Sequence, residues 1–296
     1  MITPDCRCVF FALVVSWRYT YKLWDRRECV RLSIHLSRAL FLYCCAVAAV
    51  LGASFGSFLN CAAWRIAHNE PFWKGRSRCP ACGHTLGVPD LVPVFSWLFL
   101  RGRCRHCGER ISPRYLCTEL LFAALTVACL VRCDLTMLCA RNWVFLCCLF
   151  CLSLVDLENY TIPDGCLLLS AGAWAVSAPL MGMGWKAVLI HLATGLAFGG
   201  AILMLSLAVD ALLHKDSMGG GDIKLFAVMG LYLGPVGSLF SVMLSCLFGL
   251  LFALLRRLCG ENGEQIPFGP AIAAATAFML LWGETLVEWY LGLMHL

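Results

Sequence analysis

The chain has 296 residues, 60% of them hydrophobic and 14% charged. Soluble domains run nearer one quarter charged, so an ordinary soluble enzyme is excluded and the lipid bilayer is the expected surroundings. The formal net charge of +5 is modest, and no motif for DNA or RNA accompanies it, so no nucleic-acid partner is expected.

Residues 1–38 read as an N-terminal extension outside the working fold. The apolar stretch 8–17 is too short to cross a bilayer alone. Six Lys/Arg follow in 18–38, where the topology below would place an outer segment. An interfacial amphipathic arm and a different topology at this end are the competing readings.

A spanning helix needs about 20 mostly apolar residues. Eight stretches qualify or come close: 39–63, 115–132, 142–158, 164–181, 187–213, 222–234, 236–256 and 268–292. The sixth is short and ends at Leu233-Gly234-Pro235. The fold class is therefore all-α and polytopic, with about eight transmembrane helices. The long polar segment 64–114 is a small zinc-ribbon-like insertion after the first helix, and 115–296 form the remaining membrane domain.

Segment 64–114 carries nine Lys/Arg against three acids. The positive-inside rule places it in the cytoplasm, and alternation fixes the other connections. The outer connections then hold only Arg132, Arg141 and Lys186.

Twenty cysteines are present. Cys44, Cys45, Cys129, Cys147, Cys148, Cys151 and Cys246 lie in apolar runs, where a thiol acts as a small hydrophobe. No disulfide framework is expected. Cys79, Cys82, Cys104 and Cys107 differ, because they form two CxxC pairs, each followed by glycine (Gly83, Gly108). Two such knuckles supply four thiolates to a tetrahedral Zn²⁺, and four ligands leave no place for a reactive water, so the expected zinc is structural. Unpaired thiols, or two disulfides, are the competing reading, and nearby His84 and His106 are read as solvent-facing.

Two acids stand out in apolar surroundings. Asp156 ends the third span, and Asp222 follows Gly219-Gly220-Gly221 at the start of the sixth. A carboxylate inside a bilayer costs roughly 2.5–3.5 kcal/mol on insertion scales and marks function by default. By topology both arrive at the same depth on the cytoplasmic side. Two close carboxylates share one proton. The charged one then draws a proton from water, while the protonated one polarises a peptide carbonyl. The three glycines leave room for a substrate backbone beside Asp222. Taken singly, Asp222 also reads as a helix cap and Asp156 as an interfacial acid. Asp164 reads as a helix-start residue. Glu158, Asp210, Asp216 and Lys224 are nearby charges that bear on the pair.

These segments together resemble the type IV prepilin peptidases, membrane aspartyl proteases of the GxGD group. The resemblance rests on Gly219-Gly220-Gly221-Asp222, on Asp156 to Asp164 with its Ile162-Pro163, on Ser54 to Asn60, on Phe95 to Cys104, on Ile111 to Tyr115, and on Ile266-Pro267-Phe268-Gly269-Pro270. It implies a bacterial inner-membrane endopeptidase with Asp156 and Asp222 as its catalytic acids. Its substrates would be type IV prepilins or pseudopilins, cut after a basic leader at the cytoplasmic border. It further implies N-methylation of the new N-terminus from S-adenosylmethionine, with Arg114, Tyr115 and Glu119 on the methyl-transfer side. This sequence departs from the family at Arg65-Ile66-Ala67, Asp90-Leu91-Val92-Pro93 and Arg114-Tyr115-Leu116, all in or beside the cysteine segment. Two other readings are weighed. A non-catalytic zinc-ribbon membrane docking protein would tolerate loss of the acids, and a proton-coupled transporter would need acids near mid-bilayer and internal repeats.

Overall fold

A computed structural model describes residues 38–73, 75–79, 81–214, 218–260 and 267–293. The readings made on residues 1–37, Asp216 and Ile266 therefore lie outside the described residues. The described chain is almost wholly helical: α1 (Arg38–Ala67), a 3-10 turn (Val88–Asp90), α2 (Phe95–Phe99), α3 (Pro113–Cys133), α4 (Met137–Asn159), α5 (Asp164–Leu180), α6 (Trp185–Leu213), α7 (Gly220–Leu258) and α8 (Gly269–Leu293). Among the described residues no strand forms, and β pairing is limited to two isolated bridges in the cysteine segment.

Six of these helices are long and apolar enough to cross a membrane, and α5 is a shorter apolar helix of 17 residues. The all-α polytopic expectation holds, but the helix ends differ from the hydropathy reading. Helix α1 runs on to Ala67, because the Arg65 guanidinium is buried and donates to the carbonyls of Phe72 and Gly75. Helix α4 begins at Met137, five residues before the expected start, because Thr136 caps it by accepting from the Cys139 amide at 3.3 Å. Ser112 caps α3 in the same way, with Pro113 in the first turn.

The expected sixth and seventh spans are two arms of α7. The helix breaks at Gly234, whose φ of 65° and ψ of −175° lie outside any helix. Pro235 has no amide to offer the carbonyl of Leu231, four residues back. The His191 ring supplies the missing donor: its Nδ1 lies 2.8 Å from that oxygen. The first arm packs on α6 with Gly230 against Gly195. The second arm returns so that Gly249 meets Phe268, beside the start of α8.

Small residues set the helix spacings. A Cβ on Gly52 would lie 2.7 Å from Thr126 Oγ1, and one on Gly56 would lie 3.1 Å from Glu119 Cα, so α1 and α3 approach closely. Helix α4 is the most enclosed span. It contributes Phe145, Leu149 and Leu152 to a core with Trp174, Phe226 and Ile272, and Leu146, Phe150 and Val155 to a second core with Leu59, Phe122 and Leu281. The element that carries Asp156 is therefore fixed from both sides.

The α6–α7 contact gives a direct test. A Cβ on Gly230 would sit 2.6 Å from the Gly195 Cα. Gly230→Ala should therefore destabilise the protein by about 1–3 kcal/mol, the usual cost of overpacking. Thermal unfolding in detergent should show this as a lowered midpoint. Gly200→Ala, which meets nothing within 4 Å, should leave the midpoint unchanged.

Candidate active site and metal centre

Asp156 lies in the last turn of α4 and is 5% exposed. Its Oδ2 accepts a hydrogen bond from the backbone amide of Gly269 at 3.0 Å. Gly269 is the first residue of α8, so a helix N-terminus, with its unpaired amides and positive dipole end, faces the carboxylate. A Cβ at 269 would stand 2.7 Å from that oxygen, so the contact requires glycine. The sequence marks this glycine within Pro267-Phe268-Gly269-Pro270. It does not reveal that its amide holds Asp156, because the two are 113 residues apart.

Asp222 is the third residue of α7 and is partly buried. The first arm of α7 brings it close enough to Asp156 for the two charges to act on each other. Its Oδ1 is buried, with no hydrogen-bond partner among the described residues. Of the three glycines, Gly221 has a packing reason of its own: a Cβ there would lie 2.8 Å from Ile162 Cβ. Gly220 has nothing within 4 Å, and Gly219 faces Asp222 Oδ2.

The neighbouring charges are engaged elsewhere. Lys224 pairs with Asp164 at 2.8 Å, both exposed, and Asp164 is the first residue of α5, as a helix-start acid should be. Glu158 pairs with Arg114 at 2.8 Å, which joins the end of α4 to the start of α3. Asp210 accepts from Ser206 within α6.

Cys79, Cys82, Cys104 and Cys107 converge, their sulfurs all within 4.8 Å of one another. The two knuckles repeat one geometry. Cys79 N donates to His84 O and Gly83 N to Cys79 O, while Cys104 N donates to Glu109 O and Gly108 N to Cys104 O. Gly83 and Gly108 adopt φ of 69° and 73°, the left-handed turn that glycine permits. Backbone amides of Cys82 and Ala81 pull the Cys79 thiol down to about 7, toward the thiolate a metal needs. A tetrahedron of bonds about 2.3 Å long separates its sulfurs by about 3.8 Å, and Cys79 and Cys107 stand 3.9 Å apart. The group fits a four-thiolate metal ion. His84 and His106 stack on each other beside it, at 3.5 Å between ring centres.

The insertion is tied to the membrane helices through Glu119. This buried acid accepts from the Val94 amide at 2.7 Å and so holds a residue with φ of 63°. Asp90 links the two halves of the insertion. The Gly87 amide, with Arg105 at 2.9 Å, holds its carboxyl below the usual carboxylate range. Arg114 and Glu119 thus have structural partners, and Tyr115 is exposed at the start of α3.

Comparison with known proteins gives a consistent result. Residues 50–133 match the model of the bacterial peptidase A24 N-terminal domain, and residues 143–254 match that of the type IV leader peptidase family. A protein of Bacillus subtilis named prepilin leader peptidase/N-methyltransferase is 33% identical, over 82% of this chain and 96% of its own length. One of the same name from Aeromonas hydrophila is 35% identical over 73% of this chain and 74% of its own. A type 4 prepilin-like proteins leader peptide-processing enzyme of Escherichia coli is 32% identical, over 77% and 90%. No solved structure matches the chain.

Metal analysis of the purified protein should find about one zinc per chain, as one four-thiolate site requires. Cys79→Ser or Cys104→Ser should lose it. Retention should fall as the pH is lowered, because protons compete for the thiolates.

Proposed function

This chain belongs to the type IV leader peptidase family, and from that premise we propose that it removes the basic leader of type IV prepilins or pseudopilins, with Asp156 and Asp222 as the catalytic acids. What supports the reading is that the two carboxylates stand at one end of the bundle, near enough for their charges to interact, one anchored by the Gly269 amide and the other with a buried oxygen that has no hydrogen-bond partner among the described residues. The Gly269 bond favours charge on Asp156. Asp156 then acts as the base toward water, and a protonated Asp222 donates to the scissile carbonyl through Oδ1. Proton sharing needs no metal and no covalent intermediate. The alternative of a non-catalytic docking protein is not favoured, since the relatives above carry enzyme names.

The acids face the cytoplasm in this reading, because the insertion beside them holds the excess of Lys/Arg. The surroundings are a bacterial inner membrane. The substrate crosses the border there, its apolar helix in lipid and its basic leader in water. Segment 64–114 is a zinc-bearing domain, with Cys79, Cys82, Cys104 and Cys107 holding the ion, and 115–296 the peptidase domain. Held by these four thiolates, with no position left for a reactive water, the ion would close the insertion and take no part in cleavage. N-methylation of the new N-terminus from S-adenosylmethionine follows from the relatives' names, with Arg114, Tyr115 and Glu119 as the residues to test first.

The test is incubation with a model prepilin in detergent, with mass measurement of the product N-terminus. Asp156→Asn and Asp222→Asn should each lower cleavage by at least the ~10²–10⁴-fold typical of losing an acid–base group, while the protein still inserts in the membrane. Cleavage at the wild-type rate by either variant would refute the pair. Gly269→Ala should also slow cleavage, because its methyl displaces Asp156. The pH–rate profile should be bell-shaped, falling on both sides of the optimum as the shared proton is lost or a second is gained. The product mass reports methylation in the same spectrum.

A further inference from the structure

Three cysteines meet at the end of the bundle opposite Asp156. Cys129 and Cys133 lie one turn apart at the end of α3, and Cys139 lies in the first turn of α4, across the short connection 134–136. Cys129 Sγ is 3.8 Å from Cys139 Sγ and points its S–H at the Cys139 carbonyl, 3.7 Å away. Cys129 is fully buried and Cys139 half-buried. Cys133 also lies within reach of Cys129, and its sulfur accepts from Asn142 Nδ2 at 3.5 Å. The small-hydrophobe reading suits Cys147 and Cys148, but it does not account for two sulfurs in contact across a helix hairpin.

We propose that Cys129 and Cys139 are the site of a disulfide that closes the α3–α4 hairpin at the outer face. The inference rests on the topology of the proposed function, in which this end lies on the oxidising side of a bacterial membrane. From 3.8 Å the sulfurs must approach by about 1.8 Å to reach disulfide length. The oxidant is the disulfide of an extracytoplasmic thiol oxidoreductase. The more accessible Cys139 thiolate attacks one oxidant sulfur, forming a mixed disulfide and releasing the other as thiolate. The Cys129 thiolate then attacks Cys139 Sγ and releases the second oxidant sulfur. The two protons from Cys129 and Cys139 pass to solvent or to the reduced oxidant, which gains the two electrons.

The location gives the bond a purpose. It would tie Cys129, in the family segment 50–133, to Cys139, in the link that leads into the segment 143–254. The Arg114–Glu158 ion pair joins the same two segments at the other end. A cystine would lock the hairpin that sets α4, and hence Asp156, against α3.

The experiment uses cells expressing the full chain, quenched in acid with N-ethylmaleimide and digested without reduction. Mass spectrometry should find a cross-linked peptide joining Cys129 and Cys139, lost on reduction and absent from Cys139→Ser. Maleimide on both residues in the wild type would overturn the proposal, as would a bond from Cys133 to Cys139. In parallel, Lys186→Cys is labelled in spheroplasts with a membrane-impermeant maleimide. Labelling together with free Cys129 and Cys139 refutes the disulfide alone. No labelling with free thiols refutes the disulfide and the topology of the proposed function together.

Discussion

An ionisable side chain at the end of the most enclosed helix has to be compensated, and the backbone amide of Gly269 does so. That one bond sets where α8 begins relative to α4. It also requires a residue without a side chain at 269, since a methyl would meet Asp156 Oδ2 at 2.7 Å. The turn before α8 and the return of the second arm of α7, which brings Gly249 onto Phe268, are arranged around the same point. The two acids differ as a result. Asp156 has a fixed donor, and Asp222 keeps a buried oxygen without one. Unequal surroundings are what separate the roles of two carboxyl groups in acid–base chemistry.

The other devices hold that arrangement in place. Close glycine contacts between α1 and α3, and between α6 and α7, bring helix backbones together where lipid gives little drive for side-chain burial. The break at Gly234 reverses the chain and frees a carbonyl at Leu231, which His191 takes up. At the same end as the acids, the four-cysteine insertion is fastened to α3 by Glu119 through the Val94 amide. Residues read first as candidates for chemistry thus also carry the scaffold. Glu119 and Arg114 are the clearest cases, each with a partner that defines how the insertion and the two helices meet.

Much of this was legible in the sequence, for physical reasons. Long apolar runs report membrane helices because lipid satisfies no backbone polar group. The paired CxxC motifs point to a cluster that could hold a metal because chelation spacing is local, and Asp156 and Asp222 stand out because acids are rare in such runs. What was not legible depends on contacts between distant residues. Hydropathy could not tell that Arg65 continues α1, since its charge is absorbed by carbonyls seven and ten residues on. The two arms of α7 read as separate spans because Gly234-Pro235 is a break, yet the donor that satisfies it comes from α6. The glycines before Asp222 were read for substrate approach, whereas Gly221 is also required by Ile162. Nor does an apolar run reveal which of its thiols lie in contact, as Cys129 and Cys139 do.

The proposed chemistry needs both carboxyl groups to act on one peptide bond. The most direct test is an experimental structure of the protein with a prepilin peptide whose scissile bond is replaced by a hydroxyl-bearing isostere. The hydroxyl should lie between Asp156 and Asp222, within hydrogen-bond distance of both, with the Gly269 amide still on Asp156. An isostere bound away from the two acids, or acids held too far apart to reach one hydroxyl, would contradict that chemistry.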